Sequence, residues 1–133
     1  MDDATPETGR ELARIAFGRS DLHDLRSAVA DVASAHTPDR VSDIVLAVHE
    51  LAVNSIMHGG GEGVVHVLHT GDELVFDVRD ADGSGVVPAV RSPTPDALGG
   101  RGLWLAQHLA DALTISHAAR ETSVRLHLRL RAS

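Results

Sequence analysis

The chain contains no cysteine. That excludes disulfides and thiolate metal sites. Lysine is absent too, since all 12 basic residues are arginine. A phosphate loop of the Gly-Lys-Ser type and Schiff-base chemistry on lysine are therefore ruled out. Aromatic side chains are scarce, with Phe17, Phe76 and Trp104 the full set, too few for a base-stacking platform on single-stranded nucleic acid. Acidic residues outnumber basic ones, 19 to 12, for a net charge of −7. Neutralising a phosphate backbone requires a basic surface, so nucleic acid is not the expected partner. No run of residues approaches the roughly 18 consecutive apolar positions of a membrane span. Met1-Asp-Asp-Ala-Thr-Pro-Glu7 also lacks the basic-then-apolar pattern of a signal peptide. A cytoplasmic protein, partnered by neither membrane nor nucleic acid, is the expectation.

What remains is an ordinary globular composition. A length of 133 residues, 43% of them hydrophobic, suits one domain burying about two-thirds of its unfolded surface. Residues 1–10 are polar and expected to be a flexible N-terminus, leaving 11–133 as the domain. Leu12–Phe17 reads as a first strand. Ser20 or Asp21 is placed to cap a helix reaching about Ala35, with Leu22, Leu25, Val29, Val32 and Ala33 on one face. Pro38 suits the first turn of a second helix, from about Asp39 to Met57, because its missing N–H costs nothing there; Gly59-Gly60-Gly61 ends it. Gly63–Thr70 and Glu73–Asp80 flank Gly71-Asp72 as a hairpin. Residues 81–99 have no hydrophobic period, and a loop of that length is expected to work as a lid. A helix over Leu103–Leu109 and a second hairpin, Leu113–Ala118 with Ser123–Arg131, complete the chain. In the last strand Val124, Leu126, Leu128 and Leu130 alternate with Arg125, His127, Arg129 and Arg131, the mark of a half-exposed antiparallel strand. The order implies an α+β, two-layer sandwich with helices on one face of a mixed, mainly antiparallel sheet.

Two stretches carry chemistry. Glu50 and Asn54, four residues apart, project from one face of the second helix, one turn from each other. Gly99-Gly100-Arg101-Gly102 precedes the apolar run that begins at Leu103. Glycine inside a helix costs roughly 1 kcal/mol relative to alanine, so glycines gathered at a helix start have a local reason. Free backbone N–H groups and the helix dipole facing a phosphate supply one. Taken singly, Glu50 reads as a surface carboxylate and the glycines as a loop; their pairing points to a nucleotide. The histidines are scattered without metal-ligand spacing.

These segments resemble the GHKL (Bergerat-fold) ATP-binding superfamily, and within it the small anti-sigma-factor serine/threonine kinases. Glu50-Leu-Ala-Val-Asn54-Ser-Ile-Met-His58-Gly59 is similar to the N-box of that superfamily. The resemblance implies that Glu50 is the catalytic base and that Asn54 holds Mg²⁺. Arg79-Asp80-Ala-Asp82-Gly83-Ser-Gly85 is similar to the aspartate-glycine box that reads adenine. Gly100-Arg101-Gly102-Leu103 is similar to the glycine box that wraps the phosphates, with Arg101 adding charge. Thr122 matches a threonine that assists adenine binding. The match covers about residues 12–131 and implies a single ATP-binding kinase domain.

Two departures stand out. Asp80 reaches its glycines at +3 and +5 rather than at +2 and +4, so either Asp80 or Asp82 reads the adenine; Asp80 is preferred because it directly ends the alternating strand. Glu121 replaces the usual glycine before Thr122. The implied function is that of an ATP- and Mg²⁺-dependent protein serine/threonine kinase that binds a sigma factor, phosphorylates a STAS-type anti-anti-sigma antagonist, and works as a homodimer. The departures leave a second reading open, a nucleotide-gated binding protein of the same fold with weak or no catalysis. A detached histidine-kinase catalytic domain, fed by a separate phosphoacceptor chain, is a third.

Overall fold

The computed structural model describes residues 9–81, 100–118 and 121–130. Strand β1 (Arg10–Gly18) leads through a single 3-10 turn (Arg19–Asp21) into helix α1 (Leu22–His36). A second 3-10 turn (Pro38–Arg40) leads into helix α2 (Val41–His58). Strands β2 (Glu62–Thr70) and β3 (Glu73–Ala81), helix α3 (Gly100–Leu109), and strands β4 (Ala112–Ala118) and β5 (Glu121–Arg129) follow. The sheet runs β1-β2-β3-β5-β4. Each neighbouring pair is antiparallel, so the sheet is antiparallel throughout the described residues rather than mixed.

The periodicities place the core. In β5 the residues Thr122, Val124, Leu126 and Leu128 are buried while their neighbours are not, as alternation requires. They pair with the equally buried Val78, Phe76 and Leu74 of β3. Val65 and Val67 of β2 and Phe17 of β1 extend that layer. Leu25 and Val29 of α1, Ile44, Val48 and Leu51 of α2, and Leu103 and Ala106 of α3 cover it from one side. Complete burial of a side chain the size of Phe76 contributes about 1.5–3 kcal/mol, and β3, in the middle of the sheet, holds several such residues.

The opposite face of the sheet is built differently. Asp77 is 0% exposed and accepts from Arg79 Nε at 2.9 Å, Arg125 Nε at 3.2 Å and Ser123 Oγ at 2.5 Å. A buried carboxylate is tolerable only when paired in this way. A second polar tie closes the far end of the layers. Arg40 donates to Asp111 Oδ2 at 2.9 Å and to the Leu109 carbonyl at 3.1 Å, and Asp111 Oδ2 also accepts from the Arg129 backbone N–H at 2.6 Å. The start of α2, the end of α3 and the end of β5 thereby share one carboxylate. Backbone and Arg40 hydrogen bonds hold the Asp111 carboxyl below the usual carboxylate range.

Several boundaries differ from the sequence expectation. Asp21 makes no side-chain cap on α1; its carboxylate accepts from the Gly18 N–H at 2.9 Å and closes the 3-10 turn. Pro38 likewise opens a 3-10 turn instead of α2 itself. Helix α3 begins at Gly100 and not at Leu103, so Gly100 and Gly102, expected just before the helix, lie in its first turn. The expected lid (81–99) keeps only Ala81, as the last residue of β3; the remainder lies outside the described residues.

Candidate nucleotide site

Helix α2 is long enough to carry Glu50 and Asn54 past the core and stop at Gly59, whose N–H donates to the Ser55 carbonyl at 2.8 Å. Its apolar positions Val48, Leu51 and Ala52 are buried, and Glu50 and Asn54 are half-buried. On the side of α2 facing α1, His49 Nδ1 lies 3.2 Å from Arg26 Nη1.

Two glycines bring the motif segments together. At Gly102 an added Cβ would stand 3.3 Å from Glu50 Oε1 and 3.6 Å from the Glu50 carbonyl. The first turn of α3 therefore approaches Glu50 more closely than a side chain would comfortably allow, which accounts for glycine inside a helix despite its propensity cost. At Gly59 an added Cβ would stand 2.8 Å from both Cγ and Oδ2 of Asp80, and 2.8 Å from the Ser55 carbonyl. The end of α2 thus lies directly against the Asp80 carboxylate. Three regions distant in the chain (the end of α2, the start of α3 and the end of β3) meet through close contacts at Gly59 and Gly102, the one at Gly59 too close for any side chain.

Thr122 joins them through the sheet. Asp80 of β3 and Thr122 of β5 are directly opposed, and opposed residues of an antiparallel pair share a face. Thr122 is 3% exposed. On its other side His117 of β4 is in register with it, and His117 Nδ1 lies 2.9 Å from Thr122 Oγ1. Asp80, Thr122 and His117 form a row across three strands, on the face that also bears the helices. Oδ1 of Asp80 is shielded from solvent. Glu121 alternates to the other face and is exposed, so the residue standing where the resemblance expects glycine does not intrude on this row.

Of the residues singled out from sequence, the structure thus brings Glu50 together with Gly102, and Asp80 together with Gly59 and Thr122. Asn54 is one turn beyond Glu50 on the same helix. Gly100 and Arg101 are placed by their backbone in the first turn of α3, and Leu103 is a buried core residue at 1% exposure. The side chain of Arg101, and Asp82, Gly83 and Gly85 entirely, lie outside what is described. Sequence reasoning missed His117 and Gly59. His117 was grouped with scattered histidines, and only strand register reveals its partner; Gly59 was read as a helix stop, without its second role against Asp80.

The arrangement suits a nucleotide. A carboxylate at a strand end opposite a hydroxyl is an acceptor-rich edge for a nucleobase. Glycine at positions 100 and 102 of α3's first turn, beside Glu50, suits an approach of phosphates to the helix's N-terminal N–H groups. Among the described residues no group of three or more His, Cys, Asp and Glu side chains forms a metal cage. Mg²⁺ does not need one, because it binds through one or two protein oxygens plus substrate phosphates. The half-buried carboxylate of Glu50 and carboxamide of Asn54, one turn apart on α2, are oxygen donors of the kind that requirement calls for. A cavity of about 410 Å³ is lined by Phe17, Asp21, Gly63, Arg79, Asp80 and Glu121 among others, so it borders the place where the motifs converge at Asp80. No described helix is long and apolar enough to cross a membrane.

Comparison with known proteins agrees with this geometry. A model of the histidine kinase-like ATPase domain matches residues 18–128. A structure of the RsbU and RsbW domains of Rv1364c from Mycobacterium tuberculosis aligns over 91% of this chain and 34% of that one, at TM-score 0.63 and 20% identity. The Acinetobacter baumannii histidine kinase AdeS aligns over 91% of this chain and 69% of its own, at TM-score 0.52 and 10% identity. Both likenesses are of fold. A UPF0262 protein from Rhodopseudomonas palustris is 37% identical over 62 residues, 44% of this chain and 38% of the relative. The chain thus spans little more than a third of the length of that relative and of the Rv1364c structure. Matched across most of its length, with its motif segments converging on one site, the chain belongs to the histidine kinase-like (GHKL) ATPase domain family.

Proposed function

We propose that this chain is an ATP-dependent protein serine/threonine kinase that doubles as an anti-sigma factor, binding a sigma factor and phosphorylating a STAS-type antagonist. The observation that carries the proposal is the packing of Gly102 on Glu50, which supports reading this carboxylate as a general base beside a helix start that would cradle phosphates. The fold shared with an RsbW domain, and the motif resemblance to anti-sigma-factor kinases, support the choice among kinases. Homodimer formation belongs to the same proposal.

In the proposed reaction a serine or threonine hydroxyl of the antagonist attacks the γ-phosphorus of ATP. Glu50 takes the hydroxyl proton as the oxygen–phosphorus bond forms. The bond from the γ-phosphorus to the bridging oxygen breaks, its electron pair leaves on ADP, and Glu50 returns the proton to solvent. Asn54 would hold Mg²⁺ through its side-chain oxygen, and the ion, when bound, neutralises phosphate charge. Asp80 accepts from the exocyclic amino group of adenine, which guanine lacks at that position. Backbone N–H groups at the start of α3, with Arg101, bind the phosphates.

Glu50→Ala tests the assignment. Phosphoryl transfer to the antagonist should disappear while ATP still binds; full activity in this variant would refute the role of Glu50. The second reading, a nucleotide-gated binder without catalysis, is favoured by the displaced glycines after Asp80. Wild-type chain that binds ATP and a partner yet transfers no phosphate would establish it.

A further inference from the structure

The row on the helix-bearing face does not end at Thr122. A buried threonine hydroxyl has one hydrogen to donate and two lone pairs, and its orientation is decided by whichever neighbour claims it first. His117 makes that claim, with Nδ1 2.9 Å from Thr122 Oγ1 and strand register fixing the two residues side by side. Thr122 is 3% exposed, so water has little share in orienting it.

We propose that His117 is a positioning residue for base recognition, donating from Nδ1 to Thr122 and thereby turning the threonine O–H toward the nucleobase. The proposal rests on the reading of Asp80 and Thr122 as the base-binding edge. With Nδ1–H donating, the Thr122 oxygen accepts and its hydrogen is free. The edge then offers an acceptor at Asp80 and a donor at Thr122. Adenine presents the complementary pattern, an amino donor next to a ring-nitrogen acceptor. Guanine presents a carbonyl acceptor next to a ring N–H, and would meet Asp80 acceptor to acceptor. Were His117 to accept instead, both positions would be acceptors and the ring nitrogen of adenine would find no donor. His117 therefore acts on the base only through Thr122.

The test is calorimetric titration of the full chain with Mg-ATP and, separately, with inorganic triphosphate, which carries the phosphates and no base. His117→Phe keeps ring volume and removes the donor. It should weaken ATP binding about five- to tenfold, the worth of one directed hydrogen bond, and leave triphosphate binding within about twofold. His117→Asn keeps a donor near the Nδ1 position and should restore most of the ATP affinity. His117→Gln, whose nitrogen sits one atom too far out, should behave like His117→Phe and serves if that variant does not fold. In a Thr122→Val background His117→Phe should have no further effect. Equal loss for ATP and triphosphate, failure of His117→Asn to outperform His117→Gln, or an undiminished effect in the Thr122→Val background would each overturn the proposal. Wild-type chain that binds no ATP would remove the underlying site as well, whereas ATP binding indifferent to His117 would remove this inference alone.

Discussion

Asp77 and Asp80 are three residues apart on the same central strand, and their carboxylates project from opposite faces of the sheet. Asp77 projects from the sheet face that no helix covers, and is enclosed by Arg79, Arg125 and Ser123. Its charge is consumed by the fold. Asp80 projects from the helix-bearing face, with the backbone of Gly59 against it and the Thr122 hydroxyl opposite. A Cβ at position 59 would collide with it, so the end of α2 packs its backbone directly on this carboxylate. Burial alone does not assign a role to an acid; the two differ in the face they project from and in the elements packed on them.

The contrast can be broken from either side. Asp77→Ala leaves two guanidinium groups without their buried anion and should cost about 3 kcal/mol, near the lower range for removing one partner of a buried pair. Urea unfolding measures this, and the ATP affinity of the folded fraction should be unchanged. Asp80→Ala should act on binding instead. Losing a hydrogen bond to a charged group predicts roughly 10- to 100-fold weaker ATP binding. If both variants lose stability equally and neither loses affinity, the distinction between the two acids fails.

Smaller effects sharpen the same comparison. Gly102→Ala gains about 1 kcal/mol of helix propensity, offset by crowding of Glu50, so its stability should stay near that of the wild type. Its phosphoryl-transfer rate should nonetheless fall about tenfold, because a displaced base loses its alignment. Steady-state kinetics beside a thermal melt would check both halves. The smallest effect belongs to Asp111, a partly exposed acid in a purely structural tie. Its lowered pKa means that it binds protons less readily folded than unfolded. The stability it contributes is therefore present at neutral pH and lost as pH falls below about 4, through the folded value. Asp111→Asn should cost at most about 1 kcal/mol at pH 7 and progressively less as pH falls below about 4, as read from denaturant midpoints across that range.

The alternation of β5 was legible in the sequence, and so was the hairpin at Gly71-Asp72, because period-two hydrophobicity and turn chemistry are local signals. The Glu50–Asn54 spacing on α2 was legible for the same reason. The start of α3 was not. Propensity alone puts Gly100 and Gly102 ahead of the helix and not inside it, and the closeness of Gly102 to Glu50 is a tertiary contact that no local signal encodes. The single antiparallel pattern of the sheet depends on which strands become neighbours, and no periodicity specifies that. His117 was invisible as a site residue for the same cause, since its partner is set by the register between β4 and β5.

The central claim is that the place where α2, α3 and the end of β3 meet holds an adenine nucleotide. Calorimetric titration of the purified chain with Mg-ATP, beside the Asn54→Ala variant, tests it most directly. A saturable heat for the wild type, markedly weakened in Asn54→Ala, is the predicted result. No heat at millimolar ATP would contradict it, as would identical isotherms for the two proteins.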